Sequence, residues 1–161
     1  MAVDMFLKID GVKGEAQDAK FKEEIDVLAW SWGASNSGTT HMGSGSGAGK
    51  ANYQDLSVTK YVDKSSTVLL QACASGKHFK TANLVVRKAG DKPLEYIKLD
   101  MKDVIITSIS TGGSGGEDRL TENVTLNFGA FKEIYTPQKE DGSGGGEVEV
   151  EVDIAANDVK K

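Results

Sequence analysis

This chain has one cysteine, two prolines and two histidines among 161 residues. A lone thiol, Cys73, excludes a disulfide within the chain and any Cys-x-x-Cys metal site. His41 and His78 have no spaced carboxylate cluster around them, so the residue types do not assemble a metal centre, and no cofactor is expected. Long apolar runs are missing too. The opening "MAVDMFLKID" carries Asp4, so we expect neither a cleavable leader nor insertion into a membrane. Positive charge is also in short supply. Against 24 acidic residues stand 19 lysines and arginines, and the formal net charge of -5 argues against a nucleic-acid partner, which would want a basic face.

Glycine is abundant, at 19 residues, and it is clustered in "GSGSGAG", "GGSGG" and "GSGGG", which mark loops. The first cluster lies in "HMGSGSGAGKA", residues 41–51, and resembles a phosphate cradle. A P-loop needs a first glycine where Ser44 stands and a metal-binding hydroxyl where Ala51 stands. The dinucleotide pattern fails as well, because Lys50 occupies the third glycine position. The stretch reads as a projecting loop over about 37–50.

Elsewhere the apolar residues recur with period two. In "VDMFLKI", Val3, Met5, Leu7 and Ile9 share one face, and Phe6 interrupts the polar one, so both faces are expected to be covered. In "EEIDVLAWSWG", alternation sets Leu28, Trp30 and Trp32 opposite Ile25, Val27, Ala29 and Ser31. "ANYQDLSVTKYVD" reads as a third strand and "FKTANLVVRKAG" as a fourth. "LEYIKLDMKDVIITSIST" reads as a long bulged strand. "ENVTLNFGAFKEIYTP" follows, and "EVEVEVDI" closes with Val148, Val150, Val152 and Ile154 on one side.

One segment differs. "DKSSTVLLQACASGK" offers Ser65 or Ser66 as N-cap and Gly76 as a stop, with Leu69, Ala72 and Cys73 on one helical face, so a helix is expected over about 65–75. Many strands with one helix imply a mainly β fold: a compact β-barrel of two sheets with one short α-helix packed alongside.

Candidate chemistry is sparse. Cys73 and His78 lack an orienting third group, and Cys73 lies on the apolar helix face, where a buried inert thiol is the simpler reading. Glu117, Asp118 and Arg119 follow a glycine loop as a charged turn entering a strand, with a hydrolase role the minor alternative. "NVT" at Asn123 matches a glycosylation sequon but falls inside a predicted strand. We expect no catalytic site.

Several stretches resemble the haemolysin-coregulated proteins (Hcp) of bacterial type VI secretion. They are "MAVDMFLKIDGVKGE", "EEIDVLAWSWG", "HMG" followed by "GAGK", "TKYVDKS", "ACASGKH", "VRKAG" and, most specific, "STGGSGGEDRLTENVTLNF" over 110–128. The resemblance covers nearly all of 1–137; over the variable stretch 138–161, "EDGSGGGEVEVEVDIAANDVKK" keeps a final strand but departs in its turn and tail.

The resemblance implies one domain over 1–161 that assembles as a homohexamer. It implies rings stacking into a tube that a contractile sheath drives, under a spike protein of the valine–glycine repeat type. It further implies small secreted effectors carried and protected in the lumen, and a protein that is cytoplasmic before firing and then secreted. Within that frame Ser31 is the candidate lumen contact. His41, Met42, Gly43, Ser44, Gly45, Ser46, Gly47, Ala48, Gly49 and Lys50 are the candidate stacking loop. A stand-alone secreted effector or adhesin module is the alternative.

Overall fold

In the computed structural model, which describes residues 2–38 and 49–160, the chain opens with β1 (Val3–Ile9), β2 (Ile25–Ser31) and β3 (Ala34–Ser35). It continues through β4 (Asn52–Tyr53), β5 (Leu56–Tyr61), α1 (Ser66–Ser75) and β6 (His78–Lys88). β7 (Leu94–Gly112), β8 (Thr121–Tyr135), β9 (Val148–Asp153) and β10 (Asp158–Lys160) complete it. The main sheet runs β10-β9-β8-β5-β2-β1-β6-β7, and pairing of β7 with β8 closes six of these strands into a barrel. β3 and β4 form a separate two-stranded ribbon. The mainly β barrel with one helix alongside is therefore what the chain adopts.

The two longest strands set the shape. β7 shifts register between Ile106 and Ser108, as its β-rich but irregular pattern predicts, and bends so that its first part pairs with β6 and its last part only with β8. β8 gives one edge to β7 and divides the other, with 121–126 on β5 and 130–135 on β9. Alternate residues of these strands fill the barrel: Leu7, Ile9, Leu56, Val58, Leu84, Leu99, Met101, Val124 and Leu126 are all buried. Burying each large aliphatic side chain contributes roughly 1.5–3 kcal/mol.

Helix α1 lays Leu69 and Ala72 into the same core, with Cys73 half-buried beside them. Ser65 is the N-cap, but its hydroxyl turns to the Asp63 carboxylate instead of capping the helix. Gly76 ends the helix in the left-handed region, φ 69°, where glycine lacks the Cβ clash, and its N–H closes on the Ala72 carbonyl.

Strict alternation fails in β2. A bulge between Val27 and Ala29 inserts one residue, Leu28, so the faces exchange partway along the strand. Ile25 and Val27 are buried before it, and Trp30 and Trp32 pack against the same core after it. The two tryptophans thus share the side of Ile25 and Val27, while Ala29 and Ser31 are exposed on the other.

Two further differences concern segment limits. The expected third strand is split into β4 and β5, because Tyr53 belongs to the separate ribbon. The tail adds β10, which hairpins onto β9 by pairing Val159 with Val152.

The outer side of β1 is covered, as Phe6 suggests. Phe6 stacks on Phe21 with ring centroids 4.5 Å apart, and Ala16 completes this small cluster. The strap that carries Phe21 lies close: a Cβ on Gly14 would sit 2.5 Å from the Glu24 carbonyl oxygen. Arg87 fastens it, reaching Asp4 at 3.0 Å and Asp18, with its guanidinium 5.3 Å from both the Phe6 and Phe21 rings.

Candidate functional site: a hydroxyl-bearing wall with open edges

Four strands, β2, β5, β8 and the last part of β7, form one wall of the barrel. Directly opposed residues in a sheet share a face, so the register reads the wall's surface row by row. Ser31 faces Ser57, Ser57 faces Thr125, and Thr125 faces Ser108. In the next row Ala29, Thr59, Asn123 and Ser110 are aligned. Neither row contains a charged side chain.

The hydroxyls and amides are knitted together across the strands. Thr59 donates to the Asn123 side-chain oxygen at 2.7 Å, and the Thr125 hydroxyl lies 2.7 Å from that of Thr107 and 2.6 Å from that of Ser108. Asp55, at one end, accepts from Thr107 and Asn127 at 2.7 and 2.9 Å. Asp55 aside, the two rows offer hydroxyl and amide donors and acceptors and no charged group.

Charge is held behind the wall. Lys60 and Glu122 are directly opposed on β5 and β8 at core-facing positions, and both are buried. The Lys60 ammonium contacts Glu122 and lies 3.1 Å from Asp63. Glu122 also accepts from Ser66 at 2.6 Å and from Thr111 at 2.8 Å, so the cluster ties α1 to three strands of the barrel. Burial pushes the Glu122 carboxyl up, but the bonds from Lys60, Ser66 and Thr111 together outweigh it and hold it below its ordinary value.

Sequence reading passed over this cluster, although a signal exists. In "LSVTK", Lys60 has the parity of Leu56 and Val58; in "ENVTL", Glu122 has that of Val124 and Leu126. Opposite charges on two core parities point to a buried pair. The hydroxyl rows have no such signal, because they exist only once the register is known.

Both outer edges of the wall are open among the described residues. β1 pairs with β2 only through Ile25 and Asp26, leaving 27–31 paired on the β5 side alone. Pairing of β6 with β7 ends at Ile105, leaving 106–112 paired with β8 alone. Unpaired N–H and C=O groups along a strand are a template for another strand.

Of the residues singled out by sequence, Ser31 stands exposed at the β2 edge of the wall, in the first row. Gly49 and Lys50 lie at the outer end of the β3–β4 ribbon, where the Gly49 N–H reaches the Ser37 carbonyl at 3.1 Å. His41, Met42, Gly43, Ser44, Gly45, Ser46, Gly47 and Ala48 lie outside the described residues. Asn123 is within a strand, and Arg119 covers the Tyr61 ring at 3.7 Å.

Fold and wall together define a small β-barrel with a polar, open-edged sheet. The chain belongs to the Hcp family of the type VI secretion system: a family model described as "Type VI secretion system effector, Hcp" matches residues 6–135. It is 59% identical over 147 residues to protein hcp1 of Pseudomonas aeruginosa, covering 91% of each chain. Among solved structures it is similar to a type six secretion system protein, with a TM-score of 0.92 at 34% identity, covering 99% of this chain and 100% of that one. Hcp1 from Salmonella typhimurium is similar at 38% identity with a TM-score of 0.80, over the same shares. Among the described residues no helix is long and apolar enough to cross a membrane.

Proposed function

We propose that copies of this chain close into hexameric rings and that the rings stack into the inner tube of a type VI secretion system. The observation that carries this reading is the pair of open edges. Ring closure joins two different faces of one subunit, and a wall with unpaired backbone at 27–31 and at 106–112 supplies two such faces. Joining the first edge to the second of the next copy continues the sheet around the ring and turns the hydroxyl rows toward its channel.

On this reading Ser31 lines the lumen, where small effectors are held and protected until export. Gly49 and Lys50, at the outer end of the β3–β4 ribbon, take part in the contact with the adjoining ring. The sheath drives the tube, and a spike protein of the valine–glycine repeat type caps it. The protein is cytoplasmic before firing and secreted afterwards. We read residues 1–161 as one domain with a structural rather than catalytic task. Arg119 committed to Tyr61 and Cys73 packed on the core support that reading.

Native mass spectrometry of the purified protein tests the ring. A six-subunit species is expected at micromolar concentration. Monomer alone across that range would overturn the proposal.

A further inference from the structure

The open edge of β7 begins at a bulge. The register with β8 shifts between Ile106 and Ser108, and Thr107 is the inserted residue. Beyond Ile105 the strand has lost β6 and pairs with β8 alone, as far as Gly112 opposite Thr121. A strand with one neighbour has fewer hydrogen bonds to hold its course and opens locally at lower cost. Two threonine hydroxyls supply part of what β6 does not. Thr107 donates to the Asp55 carboxylate at 2.7 Å, and the Asn127 amide holds Asp55 in turn at 2.9 Å. At the other end Thr111 donates to Glu122 at 2.8 Å, and Lys60 and Ser66 anchor Glu122. Both carboxylates belong to other segments: Asp55 immediately precedes β5, and Glu122 lies on β8.

We propose that Asp55 and Glu122 are positioning residues for ring closure: each holds one end of the 106–112 edge through a threonine hydroxyl and so presets that edge for the next copy. The inference rests on the ring reading above. Two strand edges pair only when their N–H and C=O groups meet in one register, and a loose edge must be ordered as it pairs. An edge fixed beforehand binds with less of that cost. Hydrogen bonds to an ionised acceptor suit the task because they are about twice as strong as neutral ones. The threonines act through the backbone between them, with no contact of their own to the next copy. The buried cluster thereby gains a task that stability alone does not require. Apolar residues of similar volume could replace Lys60 and Glu122 without loss of stability, but they would leave Thr111 no acceptor.

Subunit exchange tests this. Unlabelled and isotope-labelled rings of each protein are mixed, native mass spectrometry follows the appearance of mixed rings, and urea unfolding is measured beside it. Thr107→Val and Thr111→Val are each expected to exchange about tenfold faster than wild type, the effect of one charge-assisted hydrogen bond per contact. Thr107→Ser and Thr111→Ser keep the hydroxyl and should exchange at the wild-type rate. Ser65→Ala removes a buried hydroxyl of the same cluster that bonds Asp63 and not β7. It should lower the urea midpoint and leave exchange unchanged. Wild-type exchange rates in both valine variants would overturn the positioning role. So would rates that simply follow the urea midpoints, Ser65→Ala included. A wild type without rings would overturn the ring reading and this inference with it.

Discussion

Lys60 and Glu122 are partners across β5 and β8, 0% and 1% exposed, and Asp63 shares the same ammonium. Two carboxylates and one cation are thus held behind a wall of hydroxyls and amides, where each depends on the others for the hydration it has lost. Through Ser66 and Thr111 the cluster fixes α1 against the strand that forms one open edge.

Removing the cation is expected to cost more than removing one acid. Lys60→Met strands both Glu122 and Asp63 and should destabilise the fold by about 3–5 kcal/mol. Glu122→Gln leaves Asp63 on the ammonium and should cost less. Urea unfolding of the two variants measures the order. Equal stability of Lys60→Met and wild type would remove the cluster from any structural role.

Acid should unfold the protein partly through Glu122 and Asp18. The Arg87 guanidinium is the main cause holding the Asp18 carboxyl at about 2, against 3.8 for the free side chain. Glu122 is likewise held below its ordinary 4.5. A carboxyl whose folded value lies below its unfolded value leaves the unfolded chain binding more protons, so stability rises with pH through that interval. The stabilisation is complete above the ordinary carboxylate values and is lost as pH falls through the folded ones. Melting temperatures of wild type, Asp18→Asn and Glu122→Gln, followed from pH 6 to pH 2, should converge toward the acid end. A gap that stays constant over that range would contradict the assignment.

Ser31→Tyr places a ring on the outermost position of the first hydroxyl row. It should weaken retention of a co-expressed small effector while the ring stays assembled, and Thr125→Tyr, two strands along the same row, should act in the same direction. Co-purification scored beside native mass spectrometry reads both effects. Undiminished cargo in both variants would take the wall out of cargo binding.

Much of the architecture is legible in the order of residues. Period-two alternation identifies the strands because each buries one face, and the switch to helical spacing between Ser66 and Ser75 isolates α1. Phe6, on an otherwise polar parity, correctly signals a covered outer face, since a buried aromatic needs a partner and Phe21 supplies it. The family resemblance, carried above all by the run over 110–128, leads to the family that the matched residues 6–135 establish.

Tertiary structure alone decided the rest. The bulge at Leu28 reverses the faces of β2, and a one-residue register change leaves no mark in local composition. It puts Trp30 on the side of Val27 and leaves Ser31 exposed. The alignment of Ser31, Ser57, Thr125 and Ser108 joins residues from four strands far apart in the chain. The open edges at 27–31 and 106–112 are likewise set by where pairing with β1 and β6 stops. Side-chain preference acts along the chain and specifies each strand, whereas the surface a barrel presents depends on which strands meet, in what register, and where they part.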